Sequence, residues 1–206
     1  MKPPLKRPAY YIPVMGTWDL DNPQGWWRKD SAFSQYAEKE NIILYPRAPF
    51  IWSSDIDGAF ELFGNNRFSD WRAAGASLSY YLENIQLSHR NIIAHSHGLQ
   101  AVACAIFYFG AEIRTLTSIG SPIRKDFHHQ YSAIQNRCDR WQHVYDSDFD
   151  LFGQLGLLFD GNFSLDRSCP FATRNEPVSE IGHTDVLQNP DSFHNWSDRD
   201  WFDFIR

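Results

Sequence analysis

One segment constrains the fold more than any other: Asn91-Ile92-Ile93-Ala94-His95-Ser96-His97-Gly98-Leu99. Its first half is apolar on both faces, as a strand central to a parallel sheet must be. Its second half passes at once into a helical pattern rich in small residues, with Ala101, Ala103, Cys104 and Ala105. Strand, turn and helix follow with no slack, so the chain has to reverse sharply at Ser96. A serine in so tight a turn takes a strained backbone, and residues without bulk at positions 94 and 98 permit it. The geometry lifts the hydroxyl above the sheet. It also aims the first amides of the following helix at any oxyanion formed beside it.

The remaining apolar runs fit the same architecture. Tyr10–Val14, Asn41–Tyr45, Ile113–Ile119 and Trp141–Tyr145 read as strands, and a short sixth strand is expected before Gly182. Helical patterns cover Ser31 to Lys39, a stretch capped by Ser69 or Asp70 and ending near Asn84, Gly98 to Phe109, and about Phe127 to Arg137. An apolar helical segment is expected from Leu151 to Phe159, and a last amphipathic helix carries Trp201, Phe202 and Ile205. Strands alternating with helices point to a parallel sheet with crossover connections. With no internal repeat and no linker-like segment, the 206 residues are expected to form a single domain.

The turn Ala94-His95-Ser96-His97-Gly98, in its strand–turn–helix setting, resembles the nucleophile elbow of the α/β-hydrolase superfamily. Ala94 stands in place of the usual first glycine. Gly120-Ser121-Pro122 is similar to the family's strand-end Gly-Thr-Pro turn, and Ile181-Gly182-His183-Thr184-Asp185 resembles its histidine loop. The resemblance covers most of the chain. It implies a three-layer α/β-hydrolase-like sandwich, a mostly parallel sheet of about six strands with helices on both faces. It also implies a minimal version without the family's first two strands, since Met15-Gly16-Thr17-Trp18 already occupies the place of the oxyanion loop.

Carried over position by position, the resemblance makes Ser96 the nucleophile and His183 its base. The orienting acid would come from Val144-Tyr145-Asp146-Ser147-Asp148-Phe149-Asp150, with Asp150 preferred, Asp148 the alternative and Asp146 a third choice. The oxyanion donors would be the amides of His97 and Thr17. The expected activity is that of a serine esterase or related acyl hydrolase, thioesterases included, working through an acyl-enzyme without cofactor or metal. Two other readings stand beside it. One is a catalytically silent scaffold of the same fold used for binding. The other is a metal-dependent hydrolase using His95 and His97, although Leu99 and Gln100 stand where its ligand motif needs Asp and His.

Composition narrows the partners. Nineteen Lys and Arg against twenty-five Asp and Glu leave a net charge of −6, which argues against general nucleic-acid binding. Three scattered cysteines are too few for a disulfide framework or a four-thiolate zinc site. No run approaches the ~20 apolar residues of a membrane span, and the start of the chain lacks a signal-like apolar stretch, so a cytoplasmic location is expected. The aromatic share is 16%. Much of it falls in 47–68 and 151–172, after the second and fifth strands, where ligands bind in open α/β folds. Those stretches are expected to form either an apolar cap suited to an apolar or aromatic acyl substrate, or additional core. Nothing in the sequence indicates a homodimer. His143 reads as a satisfied histidine and His128-His129 as a solvated pair. Asp146 to Asp150 fails as a calcium loop because Leu151 and Leu157 replace the required Gly and Glu.

Overall fold

The computed structural model describes residues 9–16, 25–44, 50, 68–146, 167–178 and 187. The strands are β1 (Ala9–Val14), β2 (Ile42–Leu44), β3 (Asn91–His95), β4 (Thr115–Ile119), β5 (Arg140–Asp146) and β6 (Arg174–Val178). They form one sheet in the order β2-β1-β3-β4-β5-β6, and every pairing is parallel. The helices are α1 (Ala32–Lys39), α2 (Phe68–Glu83), α3 (Gly98–Phe109) and α4 (His128–Arg137). No described helix is long and apolar enough to cross a membrane.

Alternation along the strands divides the side chains between two cores. Ile12, Ile92, Leu116 and Trp141 stand in one row across the sheet. With Val14 and Ala94 they pack against Trp71, Leu78 and Leu82 of α2, the small residues of α3, and Tyr131 and Ile134 of α4. Tyr11, Ile93, Ile119 and Val144 point the other way, onto Phe33, Tyr36 and Ala37 of α1. Helices therefore cover both faces, as expected. The small residues of α3 let α2 approach closely: a Cβ on Gly75 would fall 2.7 Å from the Ala105 nitrogen.

Local chemistry explains most boundaries. Ser31 caps α1, its Oγ accepting from the Ser34 amide at 3.0 Å and donating to the Trp26 carbonyl at 2.6 Å. α2 starts at Phe68, so neither Ser69 nor Asp70 is its cap; Asp70 instead lies in the first turn, where its charge suits the positive end of the helix. β4 begins at Thr115 rather than Ile113, and Ile113 is buried in the irregular segment before it. α4 is preceded by a 3-10 turn, Lys125–Phe127, that buries Phe127. The segments expected to be helical at 151–159 and near the C-terminus lie outside the described residues. Leu187 is described, and it is buried in the same core as Val144 and Val178.

His143 is a satisfied core histidine. Its Nε2 lies 3.0 Å from the Arg167 carbonyl, which only accepts, so Nε2 carries the proton and Nδ1 accepts from Ser118 Oγ at 2.9 Å. Trp141 Nε1 donates to the same Oγ at 2.9 Å. Burial holds the imidazole down at about 4. Above pH 6.5 neither the native nor the unfolded chain protonates this ring. Between 6.5 and 4 only the unfolded chain does, so stability falls as pH drops through that window, by about 3 kcal/mol at most. Denaturant titrations from pH 7 to 4 should therefore show a shallower decline in His143→Asn than in the parent; equal slopes would contradict the assignment. Burial also raises the thiols of Cys104 and Cys138 to about 12 and that of Cys169 to about 11, so all three are protonated at neutral pH.

Candidate active site

The topology itself locates a crevice. From β1 the chain moves outward through α1 to β2. From β3 it moves the opposite way through α3 to β4, over the other face. The two connections part at the carboxyl ends of β1 and β3, the switch point where open α/β sheets bind ligands. Gly16 and Ser96 occupy those two strand ends.

Ser96 has φ +50°. Left-handed backbone at a residue other than Gly, Asn or Asp costs of order 1–2 kcal/mol, and the surroundings hold it in place. Its amide donates to the Ile119 carbonyl at 3.0 Å, and one strand further along the Gly120 amide donates to Val144 at 2.9 Å. The helix starts immediately: Leu99 N–H donates to the Ser96 carbonyl at 3.3 Å and Gln100 N–H to that of His97 at 3.1 Å. The Gln100 side chain ties this turn to the segment after β4, donating to the Pro122 carbonyl at 2.8 Å and to the Tyr131 hydroxyl at 3.1 Å. Ser96 is 5% exposed. The strand–turn–helix expected at residues 91–99 is therefore present, strain included.

The end of β1 is pressed against this turn. A Cβ on Gly16 would lie 2.6 Å from Ser96 Cβ and 2.9 Å from the His95 carbonyl oxygen. A Cβ on Gly98 would lie 2.8 Å from the carbonyl oxygens of both Val14 and Met15. Each glycine is the space into which the other segment fits. Phe50 pins the β1 end from the far side, its N–H donating to Pro13 at 3.0 Å and its carbonyl accepting from Met15 at 3.3 Å. Gly16 itself therefore lies directly against Ser96.

The histidines flanking Ser96 part company. His95 is buried with its ring edge-on to Trp26 at 6.4 Å, on the α1 face. His97 is half-buried and lies flat on Trp71 of α2, centroids 5.7 Å apart. They do not converge as a metal pair, and among the described residues no cluster of three or more potential ligands exists. The Trp71 contact was not foreseeable in sequence, because residues 71 and 97 meet only through helix packing. Of the expected site residues, Ser96 and His97 are described. Thr17, Asp148, Asp150 and His183 lie outside the described residues; in sequence they follow the carboxyl ends of β1, β5, β5 and β6.

Solved structures place this architecture among known folds. A CIB-like hydrolase of Thermoplasma acidophilum aligns over 92% of this chain and 84% of its own, with a TM-score of 0.53 and 13% identity. The methylesterase MES16 of Arabidopsis aligns over 93% and 98%, at 0.54 and 11%. The lipase BlEst2 of Bacillus licheniformis aligns over 96% and 93%, at 0.52 and 14%. No family model and no curated protein matches the chain. The chain has the α/β-hydrolase fold, with a strained serine at the strand–helix turn of β3 and α3.

Proposed function

We propose that the protein is a serine hydrolase acting on a carboxylic ester or a related acyl bond. The observation that carries the reading is Ser96 at φ +50° between β3 and α3, with the glycine end of β1 packed against it. Strain of that kind persists only where the fold demands it, and a hydroxyl raised at a sheet's switch point is placed to attack. The likeness to a methylesterase and a lipase favours an ester over other acyl bonds.

In the proposed reaction His183 takes the Ser96 proton as Oγ attacks the acyl carbonyl. Asp150, or Asp148 in its place, holds the imidazole tautomer. The amides of His97 and Thr17 receive the developing oxyanion. His183 then protonates the departing alcohol, and water attacks the acyl-enzyme to release the acid. The aromatic stretches 47–68 and 151–172 would give the acyl group an apolar wall. No step needs a cofactor.

A fluorophosphonate probe tests the reading without a known substrate, since it reports an activated serine. One adduct per chain is expected, mapped by mass spectrometry to Ser96. Absence of labelling would sink the enzyme reading and favour a silent scaffold.

A further inference from the structure

His97 contributes a side chain to this region as well as an amide. Its ring lies on the indole of Trp71 with 15° between the planes. Trp71 belongs to the first turns of α2, is 1% exposed, and its Nε1–H has no hydrogen-bond partner among the described residues. A buried unpaired donor is costly, so the indole is held by what touches its faces and edge, not by that N–H.

Among the described residues, two groups hold it besides His97. The Arg124 guanidinium carbon lies 4.7 Å from the indole centroid, and Phe127 meets the ring edge-on at 5.4 Å. Arg124 follows β4, is 6% exposed, and is itself fixed by two parallel bonds. Its Nε donates to Asp126 Oδ1 at 2.9 Å and its second terminal nitrogen to Oδ2 at 2.8 Å. Its backbone N–H also donates to the Tyr131 hydroxyl at 3.3 Å. A guanidinium taken this far from water needs such pairing, and an aromatic face adds to it. A continuous run of contacts therefore links Asp126, Arg124 and Trp71 to the residue beside Ser96.

We propose that Trp71 is a positioning residue for the oxyanion hole: by holding the His97 ring it fixes the peptide between Ser96 and His97. The inference rests on the serine-hydrolase reading, in which that peptide N–H is a donor to the developing charge. The carbonyl of that peptide is held by the Leu99 N–H, which donates to it at 3.3 Å. The other side turns with His97, which has φ −67° and ψ −3° and no side-chain capping bond to the helix. Its side chain does not cap the helix and lies instead along the Trp71 indole. A donor aimed at the transition state acts on kcat, whereas one that merely binds substrate acts on KM.

Trp71→Leu removes the aromatic face and keeps an apolar side chain; Trp71→Phe keeps a smaller ring. In Trp71→Leu, kcat for an ester and the rate of fluorophosphonate labelling should fall about 10- to 100-fold, part of the effect of losing an oxyanion donor. KM should stay within about threefold, and Trp71→Phe should recover most of the rate. Once His97→Ala has removed the stack, adding Trp71→Leu should cost little more in kcat, whereas a tryptophan that affects kcat by a route other than His97 would give additive losses. Additive losses, or undiminished kcat in folded Trp71→Leu, would overturn the proposal. Should Trp71→Leu fail to fold, His97→Ala removes the same stack from a half-buried position, and undiminished kcat there overturns it equally. A parent protein that no fluorophosphonate labels removes the serine-hydrolase reading and this inference together. Labelling of the parent with unchanged rates in the variants removes only the inference.

Discussion

Ser96→Ala is expected to lower kcat/KM for a p-nitrophenyl ester by about 10⁴- to 10⁶-fold while the protein stays folded. What remains would come from substrate binding and the amides, which do not depend on the hydroxyl. Stability should hardly change, because alanine retains the Cβ and so the strain of φ +50° at this position. Ser96→Gly separates the two consequences. It should be as inactive as alanine yet at least as stable as the parent, since glycine adopts this backbone at no steric cost, a relief of about 1 kcal/mol offset in part by the freer unfolded chain. Enzyme assay and denaturant melts on the three proteins check both halves. Parental activity in Ser96→Ala would end the serine mechanism; a Ser96→Gly protein well below parental stability would end the claim of strain.

The parts of this site set by short-range constraints were legible in the sequence. Asn91 to Ala94 announced a strand buried on both faces, and Ser96 with Gly98 a turn too tight for bulk. All five residues of β3 are indeed buried. The first residue of α2 was not legible, because Ser69 and Asp70 suit a cap and a first helical turn almost equally well. Ile113 looked like strand because it is apolar, yet it is buried without sheet pairing. The hold of Trp71 on His97 depends on how α2 lies on α3, which Gly75 and the alanines permit but do not spell out. Nothing in the sequence singles out Arg124; its burial follows from the aromatic pair Trp71 and Phe127 and the neighbouring Asp126, which meet only when the segment after β4 folds back on α2.

Gly16→Ala should damage catalysis through packing alone. The added Cβ would sit 2.6 Å from Ser96 Cβ, 2.9 Å from the His95 carbonyl oxygen and 3.4 Å from Ser96 Oγ. The two closest atoms belong to backbone or to a Cβ, so no flexible side-chain tip can swing aside. Neither neighbour moves freely. The β1 end is tied to Phe50 on one side and pressed on Gly98 on the other. The Ser96 turn is tied to Ile119 and leads straight into α3. The strain must be shared, at about 1–3 kcal/mol of stability as for other overpacked sites. On the proposed mechanism, a displacement of even ~1 Å between Ser96 and the oxyanion donor assigned to Thr17 would cost about 10²-fold in rate, so kcat should fall by that order with KM little changed. Gly98→Ala, blocked by the carbonyls of Val14 and Met15 at 2.8 Å, should share the symptom from the other side of the same contact. Gly110→Ala provides the contrast. That glycine ends α3 at φ +71° with Arg137 no nearer than 3.5 Å, so alanine there should cost about 1 kcal/mol of backbone strain and leave kcat untouched. Steady-state kinetics and denaturant midpoints on the three variants distinguish the cases. A Gly16→Ala enzyme with parental kcat would show that the β1 end takes no part in the chemistry at Ser96.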